Sequence, residues 1–123
     1  MHAAWRSIVM VPVDPSTSTE LTPALLHRLS EARTPLAQWI GKREPGFPMW
    51  DEIATAVWLD PSLITTAATL YVDVNTQFDA GYGDTLSWSP GYQPGLGEQI
   101  ETVVRGIDVP RFEALLMSLL AKG

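Results

Sequence analysis

Apolar residues fall in short groups along the 123 positions, separated by polar and proline-bearing segments. Residues 8–13 form an apolar run closed by Asp14-Pro15, the pattern of a short buried strand. Residues 16–20 are polar and turn-like. Thr22-Pro23 then offers an N-cap followed by proline at the first helical position. Leu25, Leu26 and Leu29 give that helix its apolar face. Thr34-Pro35 repeats the device, with Leu36, Trp39 and Ile40 at helical spacing and Gly41 as the expected stop.

Residues 42–49 hold two prolines and a glycine and read as a loop. A third helix is predicted from near Pro48 through Ile53, Ala54, Val57 and Trp58. It ends before Pro61, because the residue preceding a proline avoids the helical region. Residues 69–74 alternate, with Leu70, Val72 and Val74 on one face and Tyr71 and Asp73 on the other, a half-buried strand. Residues 81–88 allow another short strand, and residues 89–97 are irregular. Residues 102–107 form a last strand. Asp108 then caps a final helix whose Phe112, Leu115, Leu116, Leu119 and Leu120 follow the i, i+3, i+4, i+7, i+8 pattern. Short strands and helices mix throughout, so the expected class is α/β. Residues 1–123 are read as one partial domain, because a strand begins within a few residues of Met1 with no capping element before it.

Charge narrows the range of partners. Lys and Arg number 8 against 14 Asp and Glu, a net charge of −6. That argues against non-specific binding to nucleic acid and against docking on anionic lipid, both of which need a basic surface. No cysteine is present, so disulfides, thiolate zinc sites and a cysteine nucleophile are excluded. No apolar run approaches the roughly 20 residues of a membrane span. Residues 1–6 lack the layout of a signal peptide, and a cytoplasmic protein is expected.

The usual catalytic signatures are missing. His2 is terminal, and His27 lies in a helix among leucines. Neither GxSxG nor HExxH occurs, and the glycines at 91–97 have no lysine or strand-to-helix setting that would make a phosphate loop. Asp51 at a helix start is first of all a carboxylate favoured by the helix dipole. Trp50 beside it is either a core residue or a flat face for a planar base.

The stretch from Pro48 to Ser62, with Trp50-Asp51-Glu52 at its head and Asp60-Pro61 at its tail, resembles the late active-site segment of the inosine/uridine-preferring nucleoside hydrolases. These are calcium-dependent nucleoside N-ribohydrolases. The likeness extends over nearly the whole chain. Residues 8–14 resemble that family's strand ending in an aspartate, followed by a threonine-rich turn and a Leu-Thr-Pro helix start. Leu70-Tyr71-Val72-Asp73-Val74, Gly81-Tyr82-Gly83-Asp84-Thr85 and the Val109-Pro110-Arg111-Phe112 junction fit as well. The resemblance implies the C-terminal portion of a nucleoside-hydrolase-type fold, with a role in nucleoside catabolism. It makes Asp51 a calcium ligand that helps hold the ribose. It makes Trp50 a base-stacking residue, where much of the family has a histidine that protonates the leaving base, and this implies a purine preference. Arg43 and Phe47, in the segment matching the family's mobile loop, become substrate contacts.

The family's DxDxxxDD cluster has no match here, so no catalytic residue is assigned and the chain alone is expected to be inactive. The expected partners are a nucleoside substrate and either a missing N-terminal half or further copies of the chain. The alternative is a non-catalytic module that keeps the fold with weak ligand or partner binding.

Overall fold

The computed structural model describes residues 5–122. In chain order its elements are β1 (Val9–Met10), α1 (Val13–Ser16), α2 (Pro23–Ser30), α3 (Pro35–Ile40), α4 (Trp50–Leu59), a 3-10 turn (Pro61–Leu63), β2 (Ile64–Val74), β3 (Thr85–Trp88), β4 (Gln99–Ile107) and α5 (Val109–Ala121). The strands form one sheet in the order β1-β4-β2-β3. β1 runs parallel to β4, and β2 is antiparallel to both β4 and β3. The class is α/β, as expected. The predicted terminal residue His2 lies outside the described residues.

Three helix starts follow the cap chemistry in the sequence. The Thr22 hydroxyl accepts from the Leu25 amide at 3.1 Å, and Thr34 accepts from the Ala37 amide at 3.2 Å. Asp108 accepts from the Arg111 amide at 3.1 Å. Each satisfies a first-turn N–H that has no partner within the helix. Thr34 also donates its hydroxyl to the Leu120 carbonyl, joining the start of α3 to the end of α5.

Gly41 does close α3, but not by the left-handed conformation that favours glycine. Its φ is −58°. A Cβ here would lie 2.4 Å from the Ser30 nitrogen and 2.8 Å from the Leu26 carbonyl oxygen. Glycine lets the end of α3 touch the backbone of α2.

Five predicted boundaries shift. β3 begins at Thr85 rather than at 81, and β4 begins at Gln99 rather than at 102. The strand expected over 8–13 is only Val9–Met10, and Val13–Ser16 turn into α1. Pro15 has no N–H to give a ladder. The Ser16 and Thr17 hydroxyls donate to the carbonyls of Pro12 and Asp14 at 3.0 and 2.7 Å, which favours a turn over extension. β2 begins at Ile64, five residues before the alternation becomes visible, because register shifts between Ile64 and Ala67 break the two-residue period. α4 starts at Trp50 rather than near Pro48, which is held in an isolated bridge to Glu20.

The core sits at the helical end. Leu25, Leu29, Ala37, Met49, Ile53, Ala56, Leu63 and Phe112 form one buried cluster, with Val11, Ile107, Leu116 and Leu120 packed on it. Most of the sheet projects beyond this cluster. Val9 and Ile100 are about half exposed.

Candidate functional site

The segment before α4 is pinned rather than loose. Gly46 donates its amide to the Leu21 carbonyl, Leu21 donates to the Phe47 carbonyl, and Met49 donates to the Thr19 carbonyl, at 2.9–3.0 Å. These bonds lay residues 46–49 against residues 19–21. Met49 points inward and is 1% exposed, whereas Phe47 is 61% and Trp50 46% exposed. The two exposed rings meet with centroids 5.5 Å apart, tilted by 57°. Trp50 is therefore not a core residue. Anchored backbone and a buried methionine between them hold both aromatics at the head of α4.

Asp51 and Glu52 follow in the first turn of α4, both exposed. Met49, at the N-cap, offers no side-chain acceptor, so the first-turn amides and the positive helix end favour these carboxylates. Arg43 is placed otherwise: its guanidinium carbon lies 3.5 Å from the centroid of the Trp39 ring, a cation–π contact. Thus Phe47, Trp50 and Asp51 share one corner of the molecule, and Arg43 is engaged by α3.

The residues present do not by themselves fit calcium. The ion takes about 6–8 oxygens, and no group of three or more His, Cys, Asp or Glu that could hold a metal occurs among the described residues. Asp51 and its neighbour Glu52 fall well short of such a set.

Two features escaped the sequence reading. Arg111 binds the Asp60 carboxylate at 3.1 Å, the Ser62 hydroxyl at 2.8 Å and the Ser62 carbonyl at 3.1 Å. Asp60 in turn accepts from the Ser62 hydroxyl at 2.6 Å. That hydroxyl, with the Ser62 amide and Arg111, holds the Asp60 carboxyl below the usual carboxylate range. The network ties the end of α4 to the start of α5 and is structural. The second feature is Glu101, which is 2% exposed and has no hydrogen bond to either carboxylate oxygen among the described residues. Burial pushes its carboxyl up. Glu101 shares its strand face with Val103 and the exposed Arg105, so no local signal marks it as buried.

No protein-family model and no curated protein matches the sequence. Solved structures do match. A plant nucleoside hydrolase superposes with a TM-score of 0.81 at 19% identity, covering 95% of this chain and 42% of that one. A purine-preferring ribonucleoside hydrolase from Gardnerella vaginalis gives 0.76 at 20% identity, over 94% of this chain and 40% of its own. An inosine-guanosine nucleoside hydrolase gives 0.75 at 16% identity, over 93% and 39%. The chain has the fold of a C-terminal portion of nucleoside hydrolases. It spans about two fifths of the length of the structures it matches. No helix among the described residues is long and apolar enough to cross a membrane.

Proposed function

We propose that this chain is the base-stacking part of a nucleoside N-ribohydrolase that cleaves the N-glycosidic bond of purine ribonucleosides to base and ribose. One observation carries the reading. On a nucleoside-hydrolase fold, two exposed aromatics, Phe47 and Trp50, meet at the head of α4, and Asp51 follows Trp50 in the first turn of that helix. An indole face takes a planar base, and a neighbouring carboxylate accepts from sugar hydroxyls. A ring as large as a purine covers more of the indole than a pyrimidine does, which supports the purine preference.

In this reading Asp51 is also one oxygen ligand of a calcium ion, and its remaining ligands come from outside the described residues. No step is assigned to that ion, and no residue of this chain is assigned general acid or base work. The chain alone is inactive in this proposal, its partner is a segment or polypeptide that completes the site, and its setting is the cytoplasm. A second reading, a non-catalytic module that keeps the fold with weak nucleoside or partner binding, accords with the lack of any three-residue cluster of metal-ligating side chains among the described residues.

Hydrolysis assays test the first reading. The purified chain should release no ribose from inosine, adenosine or guanosine with calcium present. A fusion to the N-terminal portion of a related hydrolase should release it, and Asp51→Ala in that fusion should depress turnover on every nucleoside. A soluble, folded fusion with no activity would favour the second reading. Ribose release by the chain alone, lost in Asp51→Ala, would overturn the account of what the site lacks.

A further inference from the structure

One face of the sheet is hollow. Successive side chains of a strand alternate between faces, and residues paired across strands share one. The register sets Met10 opposite Val103, Leu70 opposite Glu101 and Val72 opposite Ser87. These residues therefore stand on a single face. Met10, Leu70, Val72 and Val103 make the apolar floor of a concavity of about 480 Å³, with the Thr85 and Ser87 side chains at its margin. Glu101 lies on the same face, between Leu70 on β2 and Val103 two residues along β4. Its carboxylate is buried, and neither oxygen has a hydrogen bond among the described residues. Arg105, also on this face, is four residues along the strand, about 13 Å at the strand rise.

A carboxylate removed from water without a donor is costly, and native folds supply donors to such groups. The amino-terminal charge opposes the effect of burial on Glu101 but does not cancel it. A sheet with a parallel pair is ordinarily covered on both faces, and the plant hydrolase holds this same fold within a chain more than twice as long. We propose that this face seats the remainder of a nucleoside-hydrolase fold, joined in one chain or separate, and that a lysine or arginine of that remainder pairs with Glu101. The inference rests on the reading of the chain as one part of such an enzyme, and it adds the face and the contact by which the rest attaches. A second copy fits less well. A symmetric pair would set two buried carboxylates in one interface, with a net charge of −6 on each side.

The chain has no cysteine, so single cysteines report exposure cleanly. Thr85→Cys and Ser87→Cys, both at exposed positions of the hollow face, are compared with His27→Cys, exposed on α2. Each is labelled with a thiol reagent in the full chain and in a cysteine-free fusion to the N-terminal portion of a related hydrolase. All three should react quickly in the chain. In the fusion, positions 85 and 87 should react at least about tenfold more slowly and position 27 at an unchanged rate. Glu101→Gln should raise the melting temperature of the chain at neutral pH and lower that of the fusion, where it leaves a buried cation without its partner. Circular dichroism of every variant checks the fold. Unchanged labelling at 85 and 87 in a folded fusion overturns the proposal, as does a Glu101→Gln fusion that melts higher than its parent. A dimer by sedimentation, with 85 and 87 already protected in the chain alone, would make a second copy the occupant and overturn it. So would a Glu101→Gln chain that melts lower, with the loss abolished by acetylating the amino terminus, since the donor would then lie within the chain. Turnover is read separately. Protected cysteines in an inactive fusion sink the nucleoside reading and leave this inference standing, and reactive cysteines in an active fusion do the reverse.

Discussion

The helical end and the sheet of this molecule are built to different standards of burial. At the helical end Leu25, Leu29, Met49, Ile53 and Phe112 are all 1% exposed or less. In the four strands only Val72, Glu101 and Val104 are buried, while Val9, Ile100 and Leu86 are 39–54% exposed. A sheet with a parallel pair is ordinarily covered on both faces by helices. Here α2, α3, α4 and α5 pack on one another and on the sheet's end, around Val11, Leu63 and Ile107. This chain covers 42% of the plant hydrolase it superposes on, and a largely bare sheet accords with that partial coverage. Burial thus concentrates where the helices meet, and the Trp50–Asp51 corner rests on that well-packed end.

The largest test of this contrast is a pair of truncations. Phe112→Ala should lower stability by about 3–5 kcal/mol, as for other fully buried aromatics. Ile100→Ala, on a strand but half exposed, should stay within about 0.5 kcal/mol. Urea unfolding of the two variants measures both. Similar costs at the two positions would mean that something covers the sheet in solution, self-association through its bare surface being the obvious cause. The contrast between the two regions would then belong to the isolated chain only.

A second test uses the one charge the sheet buries. Glu101 is raised above the ordinary carboxylate range because burial disfavours its charged form. Its favourable contribution is therefore present below the ordinary range and is lost as pH rises through the raised folded value. Glu101→Gln should melt higher than the parent at neutral pH, with the gap closing as pH falls to the ordinary carboxylate range. Asp60 works in the opposite sense. The Ser62 hydroxyl holds its carboxyl low, so its contribution is present above the ordinary range and disappears as pH falls through the depressed folded value. Asp60→Asn should cost stability at neutral pH and progressively less in acid. Melting curves across pH for both variants read the two signs. A Glu101→Gln variant no more stable than the parent at neutral pH would show that the carboxylate has a partner or water access in solution.

The two regions also differed in how far the sequence disclosed them. Thr22-Pro23, Thr34-Pro35 and Asp108 announce helix starts because the cap bond is local: acceptor and donor lie three residues apart. The sheet depends on partners far along the chain. β2 was readable only where its polarity alternates, from residue 69 on, and the register shift near Thr66 hid its first five residues. α1 hid inside an apolar run because hydroxyl-to-carbonyl bonds compete with extension there. At the candidate site, the pairing of Phe47 with Trp50 follows from Met49 being pulled inward between them. That inward turn depends on the bonds from residues 46–49 to residues 19–21, which no local pattern announces. Arg43 was a candidate through the resemblance of residues 42–49 to the family's mobile loop, and its contact with the Trp39 ring depends on the fold of α3, which that resemblance does not describe.

The smallest effect on stability, and the one most informative about function, is expected at Trp50. Its side chain is 46% exposed and its ring contact is with another exposed ring, Phe47, so Trp50→Ala should shift stability by no more than about 0.5 kcal/mol. Trp58 provides the control, since it lies on the same helix, is 79% exposed and is eight residues from Trp50. If Trp50 is the stacking face, inosine should quench tryptophan emission in the parent chain and in Trp58→Ala, but much less in Trp50→Ala. Base stacking on aromatics is worth about 1–3 kcal/mol per base elsewhere, so the apparent affinity for inosine should weaken by roughly tenfold or more in Trp50→Ala. Uridine, whose single ring overlaps less of the indole, should lose less. Three results would sink the stacking role: a quench that survives in Trp50→Ala, equal losses for inosine and uridine, or a large drop in melting temperature. The last of these would return Trp50 to the packing of the helical end, and the contrast between a buried Met49 and the exposed rings on either side of it would lose its functional meaning.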